Sequence, residues 1–263
     1  MTTQELSARE NRILGAIKVN TVFTLLSVLS ETDGELQETL KDSRFCLKVS
    51  APGVPGTSLA AREGRFRHYE GGGPLPSLTL RFTRPEHLTA LFSGKKAPVI
   101  PLPGGPAFLK ALKTFQAGTA RLQQIMSAAP EEGEALYTEK TRLLLAATVT
   151  GIRQVARGDL SVRAKFDHIA RGTIELFVEE DPSLAWHLVK QGDDLLTFPG
   201  RPASRGNAQL SFRTVAAAHD LLTGKLNAMA ALGTSEVKIR GKLPMVQNLF
   251  PLLDRLGFYM SVQ

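Results

Sequence analysis

Between residues 134 and 157 apolar positions recur at helical spacing, with Leu136, Leu143, Ala147, Ile152 and Val155 available to one buried face. Gly158 follows, and a glycine just past a helix readily takes the left-handed cap conformation. The period then changes to two. LSVRAKF, GTIELFV, LAWHLVK and DLLTF alternate apolar with polar residues between Gly-Asp or Asp-Pro turn signals, which predicts consecutive strands. AQLSFR predicts a further strand, with Leu210 and Phe212 on one face and Ser211 and Arg213 on the other. Thr214 is placed to cap a short helix, VAAAHDLLTG, closed by Gly224. A loop is expected over 227–234, then a last strand, EVKIRG, with Val237 and Ile239 on one side. Leu243, Val246, Leu249, Phe250, Leu253 and Leu256 predict an amphipathic C-terminal helix. Pro251 removes a backbone hydrogen bond within it and predicts a bend or two short helices.

Consecutive strands with turn-like links imply a mainly antiparallel sheet with helices packed on one face, an α+β architecture. Such a sheet and its helices are apolar where they meet. Packed fully they make a core, and held slightly apart they make a lipid-sized tunnel. The pattern leaves both open.

The first half repeats the second. LTLRFTRPEHLTALFSGK at 78–95 and AQLSFRTVAAAHDLLTGK at 208–225 align without a gap at a spacing of 130, matching Leu80 with Leu210, Phe82 with Phe212, Gly94 with Gly224 and Lys95 with Lys225. NRILGA (11–16) aligns with TRLLLA (141–146) at 130, and RFCLKV (44–49) with TIELFV (173–178) at 129. That period is too long for a solenoid, whose units run roughly 20 to 50 residues. It predicts two tandem domains, residues 1–130 and 131–263. VIPLPG (99–104) pairs with EVKIRG (236–241) only if the first copy lacks about seven residues. Pro98, Pro101 and Pro103 interrupt that segment, so its strand is expected at an edge or absent.

The run FDHIARGTIELFV, LAWHLVKQGDDLLTF, AQLSFRTVAAAHDLLTGKLNAMAAL and SEVKIRGKLPMVQNLFPLL, nearly all of 135–257, resembles a sterol carrier protein 2 domain. Thr223, Gly224, Lys225 and Asn227 fit that family's turn after the short helix, and residues 237–241 fit its late strand. The first half resembles the family through 80–95 and its place in the repeat. The resemblance implies two sterol carrier protein 2-like domains. It also implies binding of sterols, fatty acyl chains, acyl-CoA or phospholipids in an apolar tunnel, with no covalent chemistry, cofactor or metal. Each buried ligand methylene contributes about 0.8 kcal/mol, so a long chain needs few polar contacts.

Composition, 43% hydrophobic and 22% charged, is that of an ordinary globular chain. No apolar run approaches the roughly 20 residues of a membrane-spanning helix. The N-terminus has no secretory or transit character, and the end, Ser261-Val262-Gln263, is no peroxisomal address, so a cytoplasmic location is expected. The single Cys46 reads as a buried thiol. The net charge of +7 is uneven: residues 1–130 hold 16 Lys/Arg against 10 Asp/Glu, and residues 131–263 hold 16 against 15. A solvated basic surface is the plain reading of that excess, and peripheral contact with an anionic membrane the functional one. No nucleic-acid motif is present.

Candidate chemistry is sparse. His68, Tyr69 and Glu70 adjoin, but neighbours in an extended segment point to opposite faces. His168, His187 and His219 lack metal-ligand spacing, and no Ser, Thr or Cys has a nucleophile motif, so no metal and no enzymatic activity are expected. Gly224-Lys225 reads as a helix cap before a head-group contact. Trp186, Phe212, Leu222, Met229, Val237, Ile239, Met245, Leu249, Leu253 and Phe258 are the candidate tunnel wall, and equally candidates for plain core. Two functions follow: non-enzymatic lipid binding or transfer, with the second domain holding the ligand, or an accessory scaffold of lipid or isoprenoid metabolism with a closed cavity.

Overall fold

Ser7 opens the first helix by reciprocal capping: its hydroxyl accepts from the Glu10 amide at 3.2 Å and the Glu10 carboxylate accepts from the Ser7 amide at 3.0 Å. In the computed structural model, which describes residues 6–102, 106–129 and 133–261, that box starts α1 (Ala8–Thr32). Contrary to the sequence expectation, α1 is long and apolar enough to cross a membrane by length and composition. Lys18 and Asn20 break the run in the sequence and hide its length. Most of α1 is buried, with Phe23, Leu26 and Leu29 wholly so, as befits the core helix of its unit.

The chain divides into two units, residues 1–127 and 128–262. In unit 1, α1 and α2 (Gly34–Leu40) precede β1 (Phe45–Ala51), β2 (Val54–Arg62), β3 (Arg65–Glu70) and β4 (Leu78–Arg81); α3 (Pro85–Phe92), β5 (Ile100–Leu102) and α4 (Pro106–Ser127) follow. Its sheet runs β3-β2-β1-β4-β5, parallel between β1 and β4 and antiparallel elsewhere. Phe23 of α1 meets Phe115 of α4 edge to face, and a side chain at Gly118 of α4 would strike Phe66 of β3 at 3.0 Å, so both helices cover the same side of the sheet.

Unit 2 begins with α5 (Glu134–Gly158), a 3-10 turn at Leu160–Val162 and α6 (Arg163–Asp167). There follow β6 (Gly172–Val178), β7 (Ala185–Gln191), β8 (Asp194–Pro199), β9 (Ala208–Phe212), α7 (Val215–Leu222), α8 (Ala228–Gly233), β10 (Val237–Gly241), α9 (Leu243–Gln247) and α10 (Phe250–Ser261). Its sheet, β10-β9-β6-β7-β8, has β6 and β9 parallel and its other pairs antiparallel. Counting strands from the first of each unit, both sheets read 3-2-1-4-5. The architecture is α+β, each unit a mainly antiparallel sheet with helices on one face.

Several local expectations change. LSVRAKF is helical: Asp159 caps the turn by accepting from the Ser161 amide at 2.9 Å, and the buried residues Val162 and Phe166 lie four apart while Leu160 faces water. Gly158 is the last residue of α5 and does not adopt positive φ, and Asp159 takes the cap position. The expected loop at 227–234 contains α8, begun by Asn227 accepting from the Ala230 amide at 3.2 Å. Leu243 is 45% exposed, outside the buried face of the last helices. Pro251 does separate two helices, sitting in the first turn of α10, where its missing N–H is unneeded.

The registers refine the internal alignment. Leu80 lies opposite Val49 on β1, whereas Leu210 lies opposite Leu176 on β6. Val49 therefore corresponds to Leu176, 127 residues on, and not to Val178 at 129. A shift of two keeps every side chain on its own face, which is why the alternation did not expose it. Leu80 opposes Pro101 and Leu210 opposes Ile239, so the stretch between these paired strands is eight residues shorter in unit 1 than in unit 2. β5 is an exposed three-residue edge strand, the position in a sheet where a proline such as Pro101 is tolerated.

Candidate functional site

The side of the unit 2 sheet beneath its helices is built by register. Trp186 opposes Leu176, Leu176 opposes Leu210, Leu210 opposes Ile239, and Phe212 opposes Val237, so all share the inner face. Met245 and Leu249 come from α9 and the turn after it; Leu253 and Phe258 come from α10. Trp186, Phe212, Val237, Met245 and Leu249 are buried, between 1% and 6% exposed. Leu222, Ile239, Leu253 and Phe258 are half-buried. Met229 is in α8, and its side chain lies outside the described residues. The face of α10 turned inward is Leu252, Leu256 and Tyr259, one residue around from the predicted Leu253.

α10 lies close on α5. A Cβ at Gly151 would meet Leu256 Cδ1 at 2.6 Å, so any larger residue there makes the Leu256 side chain give way. Beyond it, Asp159 accepts from Arg255 Nε at 2.5 Å and from the Tyr259 hydroxyl at 2.8 Å. Burial disfavours the Asp159 charge, but hydrogen bonds from Arg255, Ser161 and Tyr259 outweigh it and hold the carboxyl down at about 2.

The inner face of unit 1 is filled differently. The void between β1, β4 and α4, lined by Phe45, Leu47, Leu80 and Phe108, measures about 10 Å³, about the space of one water-sized sphere. Nearby, a polar cluster that the sequence reading did not assemble occupies the core. His68 Nε2 lies 2.8 Å from Thr57 Oγ1 and 3.0 Å from Asn20 Oδ1, and its Nδ1 lies 3.0 Å from Thr24 Oγ1. Asn20 donates to the Ala16 carbonyl at 2.9 Å. His68 faces inward opposite Leu59, and Tyr69 faces outward opposite Ser58, as strand geometry requires.

Two outer faces carry charge. On unit 1, Lys48, Arg62, Arg65, Arg67 and Arg81 are exposed on the side opposite the helices, and Arg62 lies directly across from Arg65. On unit 2 a basin of about 660 Å³ is lined by Glu175, Phe177, Glu179, Arg201, Arg205, Gln209 and Arg240, and none of the ten candidate wall residues borders it. Glu175, 1% exposed, accepts from Arg201 Nε at 3.0 Å and Nη2 at 2.9 Å, from Gln209 Nε2 at 3.2 Å, and from the Gly206 amide. Glu179 accepts from Ser211 at 2.9 Å and Lys238 at 2.7 Å. The only available signal was the alternation of charge with apolar residues in TIELFV and VKIRG, and it cannot say which strands are neighbours.

Among the described residues no three His, Cys, Asp or Glu side chains gather as a metal-holding group. His187 stacks on Phe198 and contacts the Gly200 carbonyl at 2.8 Å, and His219 packs on Tyr137. Cys46 is buried, which pushes its thiol pKa up. Gly94 and Gly224 both adopt positive φ, 76° and 75°, as helix caps.

No family model matches the chain, and no curated protein matches it. Among solved structures it is similar to a UbiJ-SCP2 ubiquinone synthesis protein, at 14% identity and a TM-score of 0.35, over 43% of this chain and 96% of that one. It is similar to sterol carrier protein domain 2 of Helicoverpa armigera at 17% identity and a TM-score of 0.35, over 44% and 89% of the two chains. The apo form of sterol carrier protein 2 from Yarrowia lipolytica matches at 18% identity and a TM-score of 0.30, over 39% and 91%.

Proposed function

We propose that the protein binds or carries an apolar lipid without covalent chemistry, between the inner face of the unit 2 sheet and helices α9–α10. The observation that carries this reading is the run of buried apolar side chains along the inner face of the sheet, Trp186, Phe212 and Val237, together with the burial of Met245 and Leu249 from the α9 region. These five side chains are closed to solvent. A ligand therefore enters by displacing α10, whose polar tie to the rest of the unit is the group around Asp159. Fatty acyl, acyl-CoA, sterol-like and isoprenoid lipids share the needed chemistry, a long apolar body gaining about 0.8 kcal/mol per buried methylene.

The basic outer face of unit 1 serves, in this reading, as a peripheral contact for anionic membrane in the cytoplasm. Arg62, whose guanidinium also meets Glu63 at 3.1 Å, stands directly opposite Arg65, and an anionic surface would complement the charge of this face. The two units are read as copies of one ancestor of which the second keeps the site. A scaffold role with a closed cavity is favoured by the 10 Å³ void of unit 1 and the burial of Trp186, Phe212, Val237, Met245 and Leu249 in unit 2.

Native mass spectrometry of freshly purified protein and titration with a fluorescent fatty acid test the proposal. Trp186 is the single tryptophan, so its emission reports directly on the wall. Saturable binding with a change in Trp186 emission is expected. Absence of co-purifying lipid together with absence of fatty-acid binding would sink it and leave the scaffold.

A further inference from the structure

The outer basin of unit 2 lies on the opposite side of the sheet from the proposed lipid seam and is built from charge. We infer that it is a binding site for a dianionic phosphate monoester, held by Arg205 and Arg240. Four cations stand on this face, Arg201, Arg205, Lys238 and Arg240, against two carboxylates, Glu175 and Glu179. Both carboxylates are consumed. Glu175 is saturated by Arg201, Gln209 and the Gly206 amide, and Glu179 by Ser211 and Lys238.

That leaves two guanidinium groups and a net charge of two. The Arg240 guanidinium has no hydrogen bond or ion pair among the described residues, although it feels the Glu179 charge, and Arg205 makes one long contact, 3.5 Å to Gln209 Oε1. Gln209, 5% exposed, lies directly opposite Arg240 in the β9–β10 register, which places Arg240 over the buried floor. Arg201 is stacked on Phe177 at 4.1 Å and locked to Glu175, so the wall is formed before a ligand arrives. Guanidinium is the group that meets phosphate oxygens with paired N–H donors. The phosphate could belong to a soluble ester or to a lipid head group, and the basin's chemistry is the same for both.

The test uses the full chain at constant ionic strength, since screening alone would mimic a change in affinity. Glycerol 3-phosphate is titrated calorimetrically into wild type, R205Q/R240Q, and the charge-matched control K110Q/K113Q, two exposed lysines of α4 that belong to neither charged face. Vesicles carrying phosphatidic acid are compared with phosphatidylglycerol vesicles of equal surface charge. Saturable glycerol 3-phosphate binding that falls at least about tenfold in R205Q/R240Q and is unchanged in the control supports the site with a soluble ester. A preference for phosphatidic acid vesicles, lost in R205Q/R240Q alone, supports it with a lipid phosphate. Equal behaviour of wild type and R205Q/R240Q towards both probes, or no saturable response to either, overturns it. Both arginines are exposed, and matching thermal melts would confirm that the variant is folded. Because the basin does not border the seam, fatty-acid binding in R205Q/R240Q stays unchanged, which separates this result from the fate of the lipid proposal.

Discussion

Tyr259, near the end of the chain, donates its hydroxyl to Asp159 at 2.8 Å, tying α10 to the turn after α5 across 100 residues of sequence. Arg255 joins the same carboxylate, and its guanidinium lies over the Tyr259 ring at 4.8 Å. The group is a polar clasp between α10 and the turn after α5.

Asp159→Asn should loosen that clasp and lower stability by about 2 kcal/mol, against about 1 kcal/mol for Tyr259→Phe, which removes one neutral donor. The pH dependence follows from the direction of each shift. The Asp159 pKa is depressed to about 2, so its contribution is complete above the unfolded value of about 3.9 and fades as pH falls from about 4 through about 2. Burial and the Asp159 charge raise the Tyr259 pKa, so its contribution is complete below about pH 10 and is lost as pH rises further. Urea denaturation from pH 2 to 11 should show both limbs in wild type and a smaller acid limb in Asp159→Asn.

Gly151→Ala sets two effects against each other. Alanine in a helix interior gains about 1 kcal/mol over glycine, whereas a Cβ placed 2.6 Å from Leu256 Cδ1 overpacks the contact by about 1–3 kcal/mol. The clash should win narrowly. Leu256→Ala relieves it, so a double-mutant cycle of 151 with 256 should give a coupling of at least about 1 kcal/mol. If α10 is the door to the seam, Gly151→Ala should also tighten fatty-acid binding while lowering the melting temperature. A lower melting temperature with unchanged binding would locate the entrance elsewhere.

His68→Phe keeps an aromatic ring in the core of unit 1 but strips Asn20 and Thr24 of their ring partner. Asn20, 2% exposed, then holds a buried unsatisfied carbonyl, at about 1–3 kcal/mol. Thr57 keeps its bond to the Tyr69 carbonyl at 3.2 Å and adds less. The double variant Asn20→Leu/His68→Phe removes both ends of that bond and should recover at least half of the loss in equilibrium denaturation.

Much of this was legible because burial has a period. Strands β6, β7, β9 and β10, helix α7 with its Thr214 cap, and the break at Pro251 follow from alternation, capping chemistry and a missing N–H. LSVRAKF misled because seven residues of apparent alternation also place Val162 and Phe166 four apart, and the Asp159 cap decided for the helix. The outer basin was illegible for another reason. Glu175, Gln209 and Arg240 are each at least 31 residues from the next and meet only once β9 is set between β6 and β10. His68 and Asn20 meet only once α1 is laid over β3. Period reports which face a residue occupies, and topology alone supplies its neighbours.

Glu175→Ala should be more damaging than Arg201→Ala, although the two are partners. The carboxylate is buried and serves three elements at once: Arg201, Gln209 and the Gly206 amide. Removing it leaves those donors without an acceptor, at about 3 kcal/mol, and unpins the loop 200–207. The Arg201 side chain is 43% exposed and can turn to water, so its loss is screened and should be nearer 1 kcal/mol. Burial works against the Glu175 charge, but Gly206, Gln209 and Arg201 outweigh it and depress the pKa. Its contribution is therefore present above the unfolded value of about 4.3 and is lost as pH falls below it. Hydrogen exchange at the Gly206 amide is the sharpest readout: fast in Glu175→Ala at neutral pH, slow in wild type, and in wild type accelerating on acidification.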